Sequence, residues 1–297
     1  MNTIVTQTAL GKPERISADQ ESAKFRDIAV NLSTDGENDP AAEFALSVAS
    51  IFEAHVTATA FALDPAVPGS VFESVVAGLL DTQLAEAKST AEAAIRRFQS
   101  KVEKAGISAE CRLVPAALLE ACDYFRRIAR VSDLAVIVQE QPDKPGAEDL
   151  FIEAALFGSG RPVLIVPYVQ KEPMKLDRIL LCWDGGLHAA RAVADAMPLL
   201  QRAKTIELLT IHPERPFEVP GADLAHHLAR HKLKVQIKNV IGRDIDVANT
   251  ILSYVADSSV DLIVMGGYGH SRLREFVLGG VTREILSSMT VPTLMAH

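Results

Sequence analysis

The sequence predicts an α/β protein of two tandem doubly wound domains, each a five-stranded, mainly parallel sheet with about four helices. Three observations predict it. Short continuous apolar runs alternate with segments of helical period, as βαβ units covered on both faces require. The chain has 297 residues, enough for two ordinary domains. The pattern is also written twice: Arg26-Asp27-Ile28-Ala29-Val30 answers Asp177-Arg178-Ile179-Leu180-Leu181, and Arg161-Pro162-Val163-Leu164-Ile165-Val166-Pro167 answers Val291-Pro292-Thr293-Leu294-Met295-Ala296-His297. A repeat of domain size means duplication, because solenoid periods are much shorter.

The elements follow in order. Residues 1–23 hold no apolar stretch long enough for a signal peptide and read as a flexible leader. The first domain, 24–168, is expected to carry strands near 26–32, 55–62, 109–114, 133–138 and 162–166, with helices near 40–53, 70–105, 116–130 and 147–157. Residues 169–175, polar and bearing Pro173, form the linker. The second domain, 176–297, repeats the order with strands near 178–183, 205–211, 234–240, 261–265 and 292–296 and helices near 186–201, 221–231, 245–257 and 281–289.

Composition excludes several function classes. Hydrophobic residues at 48%, with 5% aromatic and 23% charged, make an ordinary soluble globular chain. A net charge of −8 argues against a nucleic-acid partner, which would need a basic patch to neutralise phosphates. No apolar run reaches the roughly eighteen residues of a membrane span, so no membrane partner is expected. Cys111, Cys122 and Cys182 are odd in number and lack C-x-x-C spacing, which suggests neither a disulfide framework nor a zinc site and fits a reducing cytoplasm.

The most informative stretch is an apolar strand, Val260-Asp261-Leu262-Ile263-Val264-Met265, that runs into Gly266-Gly267-Tyr268-Gly269 and later into Gly279-Gly280-Val281-Thr282. It reads as a phosphate cradle. Glycines let backbone come within touching distance of a ligand, and the second pair opens a helix whose unpaired N–H groups favour an anion. In a doubly wound sheet, ligands sit at the carboxyl ends of strands where the winding reverses. Gly266 and Asp184 both follow strand ends, so Asp184 is either a helix N-cap or a ligand contact. A turn that only closes a strand-to-helix corner is the plainer alternative.

The G-x2-G-x9-G spacing, with its strand before and Thr-containing helix after, resembles the nucleotide-binding motif of the universal stress protein family. The resemblance covers both halves, but the motif occurs only in the second. It therefore implies a tandem member with one degenerate copy, in a fold described as Rossmann-like and adenine nucleotide alpha hydrolase-like. The implied ligand is ATP, with magnesium as an optional companion. Asp184 and Ile211 match the family's adenosine contacts, Met265, Gly266 and Gly269 its glycine loop, and Gly279, Gly280, Val281 and Thr282 its phosphate-side turn. Gly280 stands where the family has Ser or Thr; one lost hydrogen bond to a charged group is worth roughly 1.5–3 kcal/mol, so weakened binding is expected.

In the first half, Val138-Gln139-Glu140-Gln141-Pro142-Asp143-Lys144-Pro145 replaces the glycine turn, and Ser33 stands where the second half has Asp184. That half is expected to be a structural or regulatory partner. Family members also pair through their last strands, which here would join Leu164-Ile165-Val166 to Thr293-Leu294-Met295 within one chain and still allow a homodimer.

Signs of catalysis are few. The chain has neither a G-x-x-x-x-G-K-[ST] loop nor a G-x-S-x-G elbow. Arg272, Arg274 and Arg283 flank the glycine loop and either neutralise phosphate or are solvated. His227 and His231, four apart with Asp223 four residues before, share a helix face but lie beside Arg230 and Lys232 and are read as solvent-facing. Neither a catalytic residue nor a metal site is expected. The preferred function is a stress-response protein whose nucleotide occupancy regulates conformation or assembly, with at most slow hydrolysis. The alternative is a nucleotide-free scaffold working through protein contacts, and a third is a hydrolase or transferase on the same sheet.

Overall fold

The structure, a computed structural model, describes residues 24–36, 38–65, 73–144, 146–212, 221–242, 245–268 and 280–297. In the first half, β1 (Asp27–Asn31), α1 (Pro40–Phe52), β2 (His55–Leu63), α2 (Glu73–Ala105), β3 (Ala109–Ala116), α3 (Leu118–Arg130), β4 (Leu134–Val138), α4 (Glu148–Gly158) and β5 (Val163–Val166) follow one another. The second half runs β6 (Arg178–Cys182), α5 (Leu187–Asp195), α6 (Met197–Leu200), β7 (Thr205–His212), α7 (Ala222–Arg230), β8 (Val235–Ile241), α8 (Val247–Ser258), β9 (Leu262–Gly266), α9 (Gly280–Ser288) and β10 (Thr293–Ala296). The expected leader lies outside the described residues.

The ten strands form one sheet in the order β3-β2-β1-β4-β5-β10-β9-β6-β7-β8. Every pairing is parallel except β5 with β10, where Leu164 faces Leu294 in an antiparallel seam that joins the halves. The strands at the seam are buried end to end, as parallel strands covered on both faces must be. The outermost strands, β3 and β8, are only partly covered.

Strand alternation divides the apolar residues between two cores, each spanning both halves. Ile28, Val30, Ile179 and Leu181 face α1, α2, α5 and α7, whereas Ala29, Leu180, Ile263 and Met265 face α3, α4, α8 and α9. The halves also share local devices. Asp133 Oδ2 accepts the Asp27 N–H at 3.1 Å and Asp261 Oδ2 accepts the Arg178 N–H at 2.8 Å, each carboxylate tying the start of one strand to its neighbour. On α1, the Asp39 carboxylate accepts the Ala42 N–H at 2.9 Å as the N-cap, with Pro40 behind it in the first turn.

Two expectations are corrected. The helix expected over 186–201 is two, α5 and α6, meeting at Ala196; Pro198 has no N–H to continue the ladder and instead sits at the start of α6. The helix expected from 116 starts at Leu118, because Ala117 is extended, with φ −65° and ψ 152°. In the stretch after β5, the Met174 N–H donates to Ser47 Oγ at 2.8 Å, pinning the chain to α1 as it crosses between halves.

Candidate functional site

In the second half, β6 lies between β7 and β9, so the chain winds outward from it in both directions. The carboxyl ends of β6, β7 and β9 open onto a cleft of ≈ 240 Å³. This is the topological switch point, where a doubly wound sheet leaves a crevice. Of the residues singled out from the sequence, Asp184, Ile211, Met265, Gly266, Gly280, Val281 and Thr282 all line that one cleft. Gly269 and Gly279 lie outside the described residues, as do His270, Arg272 and Arg274. Arg283 is exposed on α9.

Sequence reasoning missed the apolar part of the lining: Cys182, Trp183, Ala189, Leu209, Val247 and Ile251. Some of it was available as periodicity. Leu209 is two residues before Ile211 on β7 and shares its face, and Val247 and Ile251 are four apart on α8. Cys182 packs with them on the α8–α9 side of the sheet. Burial pushes its thiol up to about 12, with the Asp184 carboxylate adding to the effect, so it is a neutral floor and not a nucleophile.

The walls are set by backbone. The turn after β6 passes through Gly185 at φ +78°, a left-handed conformation that favours glycine. Asp184 Oδ1 accepts the Gly186 N–H at 2.7 Å, and Gly186 itself stands at the N-cap of α5, so Asp184 braces the turn and is not the cap. Gly266 permits the closest approach in the site. A Cβ there would come within 2.7 Å of the Ala189 nitrogen and 2.8 Å of the His188 carbonyl carbon, so α5 lies directly against the end of β9.

Opposite, the described part of α9 opens at Gly280, and N–H groups in the first turn of a helix have no partner within it. Thr282 is buried; its Oγ1 accepts the Tyr268 N–H at 3.1 Å, tying the glycine turn to α9 and leaving the hydroxyl its own proton to donate. An added Cβ on Gly280 would meet no atom of the described residues within 4 Å. The cleft thus has an apolar floor, a carboxylate on the α5 side and amide donors on the α9 side. Beside it, the rings of His188 and His297 stack 4.0 Å apart, and burial together with His297 holds His188 below its ordinary pKa.

The first half has a counterpart of ≈ 170 Å³ at the ends of β1, β2 and β4. Strand register makes its differences residue by residue. Asp27 pairs with His55 as Arg178 pairs with Thr205, so Phe61 stands where Ile211 does and Ser33 where Asp184 does. Leu134 pairs with Ile28 as Leu262 pairs with Ile179, so Val138 stands for Gly266. Phe61 stacks on Phe151 of α4 with centroids 5.1 Å apart, and both rings line this cavity. At the rim, Lys144 pairs with Asp35 at 2.9 Å. Glu140 accepts the Gly146 N–H at 2.7 Å, and burial and Glu140 push Asp149 up to about 6. The start of α4 is therefore already crowded with the chain's own carboxylates.

Elsewhere, His227 on α7 and His231 at its C-cap are exposed with ring centroids 4.9 Å apart. Among the described residues, no group of three or more His, Cys, Asp or Glu side chains is placed to hold a metal, and no helix is long and apolar enough to cross a membrane.

Residues 175–297 match the sequence model of the universal stress protein family. A universal stress protein from Synechocystis sp. is 27% identical over 143 residues, covering 45% of this chain and 46% of that protein, so the chain spans about half the length of this curated relative. Among solved structures, a universal stress protein from Archaeoglobus fulgidus DSM 4304 superposes with a TM-score of 0.63 at 16% identity, over 90% of this chain and 97% of that one. A functionally unknown protein from Pseudomonas aeruginosa PAO1 gives 0.57 at 15% identity, over 92% of each. These two likenesses are of fold, and they extend it across both halves. The matched segment, 175–297, contains every described residue of the cleft, and it is this segment that is similar to the universal stress protein family.

Proposed function

We propose that the cleft of the second half binds an adenine nucleotide, ATP, and that occupancy biases conformation or assembly, with at most slow hydrolysis. One observation carries the reading: Asp184, Ile211, Met265, Gly266, Gly280, Val281 and Thr282, drawn from four separate places in the sequence, converge on one crevice at the switch point. The chemistry is divided as a nucleotide requires. Leu209, Ile211, Val247 and Ile251 offer apolar surface to a base, the Asp184 carboxylate can accept from ribose hydroxyls, and the α9 amides and the Thr282 hydroxyl can donate to phosphate oxygens.

Gly280 brings no hydroxyl, which makes the phosphate grip weaker than a Ser or Thr would give. Magnesium, when bound with ATP, would neutralise phosphate charge. The first half serves as a structural or regulatory partner: Phe61 and Phe151 narrow its cavity, and Glu148, with Glu140 and Asp149 beside it, repels an anion. The test is to purify the protein without added nucleotide, denature it and identify released small molecules by mass spectrometry. Adenine nucleotide at about one per chain supports the reading. If neither co-purified nor added ATP binds a well-folded sample, the glycine turn is structural and the chain is a scaffold.

A further inference from the structure

The phosphate side of the cleft leans on the first half. Tyr268, in the glycine turn, holds a left-handed φ of +53°, which a tyrosine rarely keeps without support from its surroundings. That support comes partly from α4. The Phe157 ring lies 4.9 Å from the Tyr268 ring and 4.7 Å from that of His297, whose Nδ1 is 3.0 Å from the Gly267 carbonyl oxygen. Leu156, next to it, fills the space over Gly267, where an added Cβ would come within 2.7 Å of Leu156 Cδ2.

The turn is in turn fastened to α9, since the Tyr268 N–H donates to Thr282 Oγ1. The far end of α9 is also held from the first half: buried Gln139, at the end of β4, donates from Nε2 to the Leu286 carbonyl at 2.7 Å. Both pieces that frame the phosphate side therefore carry a contact from the other half of the chain.

We infer that Phe157 is a positioning residue for the cleft. By packing on Tyr268 it fixes the turn that follows Gly266, which lines the crevice, so a first-half side chain sets the ligand affinity of the second half. The effect on affinity rests on the nucleotide reading above, whereas the effect on the turn does not.

Hydrogen exchange at the Tyr268 amide and an ATP titration, both on the full chain, test it in wild type, Phe157→Ala, Phe157→Tyr and Phe125→Leu. Phe125 is fully buried on α3 against Phe151, so its substitution reports a general loss of core stability. Phe157→Ala is expected to speed exchange at Tyr268 and to weaken ATP binding, each by about tenfold. Phe157→Tyr should keep both near wild type, and Phe125→Leu should lower the melting temperature while leaving both unchanged. Unchanged exchange in Phe157→Ala, or equal acceleration in Phe125→Leu, overturns the inference. Accelerated exchange in Phe157→Ala with no ATP binding in wild type supports the positioning role and rejects the nucleotide, so the two failures are told apart.

Discussion

At Gly280 the protein is open to change, because an added Cβ would meet no atom of the described residues within 4 Å and the residue opens the described part of α9. Gly280→Ser is therefore expected to tighten ATP binding at least about tenfold by supplying a hydroxyl to a charged group. The melting temperature should stay level or rise, since glycine is the poorer helix former. Calorimetric titration checks this, and unchanged or weaker binding would mean that phosphate does not lie at the start of α9. Asp39 gives a second residue-scale prediction. Burial raises its pKa from 3.8 to about 6, against the opposing pull of the Ala42 and Ser33 amides. A raised acid favours the folded state while protonated, so this share of stability is present below about pH 4 and is lost as pH climbs through about 6. Asp39→Asn cannot ionise, and urea unfolding should show the variant gaining on wild type between those limits. A difference independent of pH would contradict the shift.

Where elements meet, Gly266 decides how closely α5 lies on β9. Its neighbours at 2.7 and 2.8 Å are backbone atoms of Ala189 and His188, which cannot swing aside as a side-chain tip can. Gly266→Ala should therefore lower the melting temperature, by roughly 1–3 kcal/mol of stability, and weaken any ligand by displacing the Asp184 turn. A variant as stable as wild type would show that α5 shifts freely. This scale also shows what was legible beforehand. Apolar runs bounded by turns gave the strands, because burial on both faces leaves little choice of residue. The break between α5 and α6 was written in Pro198, but the apolar residues around it kept a continuous helical period that masked the boundary. The β9 glycines signalled a close approach without naming the partner, which lies far off in sequence at Ala189.

Across the whole molecule, the antiparallel seam of β5 and β10 makes one sheet of two parallel halves and puts α4 against the glycine turn. The repeated strand openings made the doubled architecture readable from sequence. Of the residues that line the cleft, sequence pointed to the polar and glycine positions and, by resemblance, to Ile211, Met265 and Val281, which stand at strand ends or beside the fixed glycine spacing. The rest of the cleft floor consists of ordinary aliphatic residues whose role depends on which strand and helix faces converge, and Cys182 and Val247 look like any core positions until the sheet is assembled. The lining of the first-half cavity by Phe61 and Phe151 was hidden for the same reason. Trp183, the single tryptophan of the chain, lines the second-half cleft and makes the central claim directly measurable. ATP titrated into the nucleotide-free protein should change Trp183 fluorescence saturably, at a stoichiometry of about one per chain. No change in fluorescence up to millimolar ATP, with no heat of binding in parallel calorimetry, would contradict it.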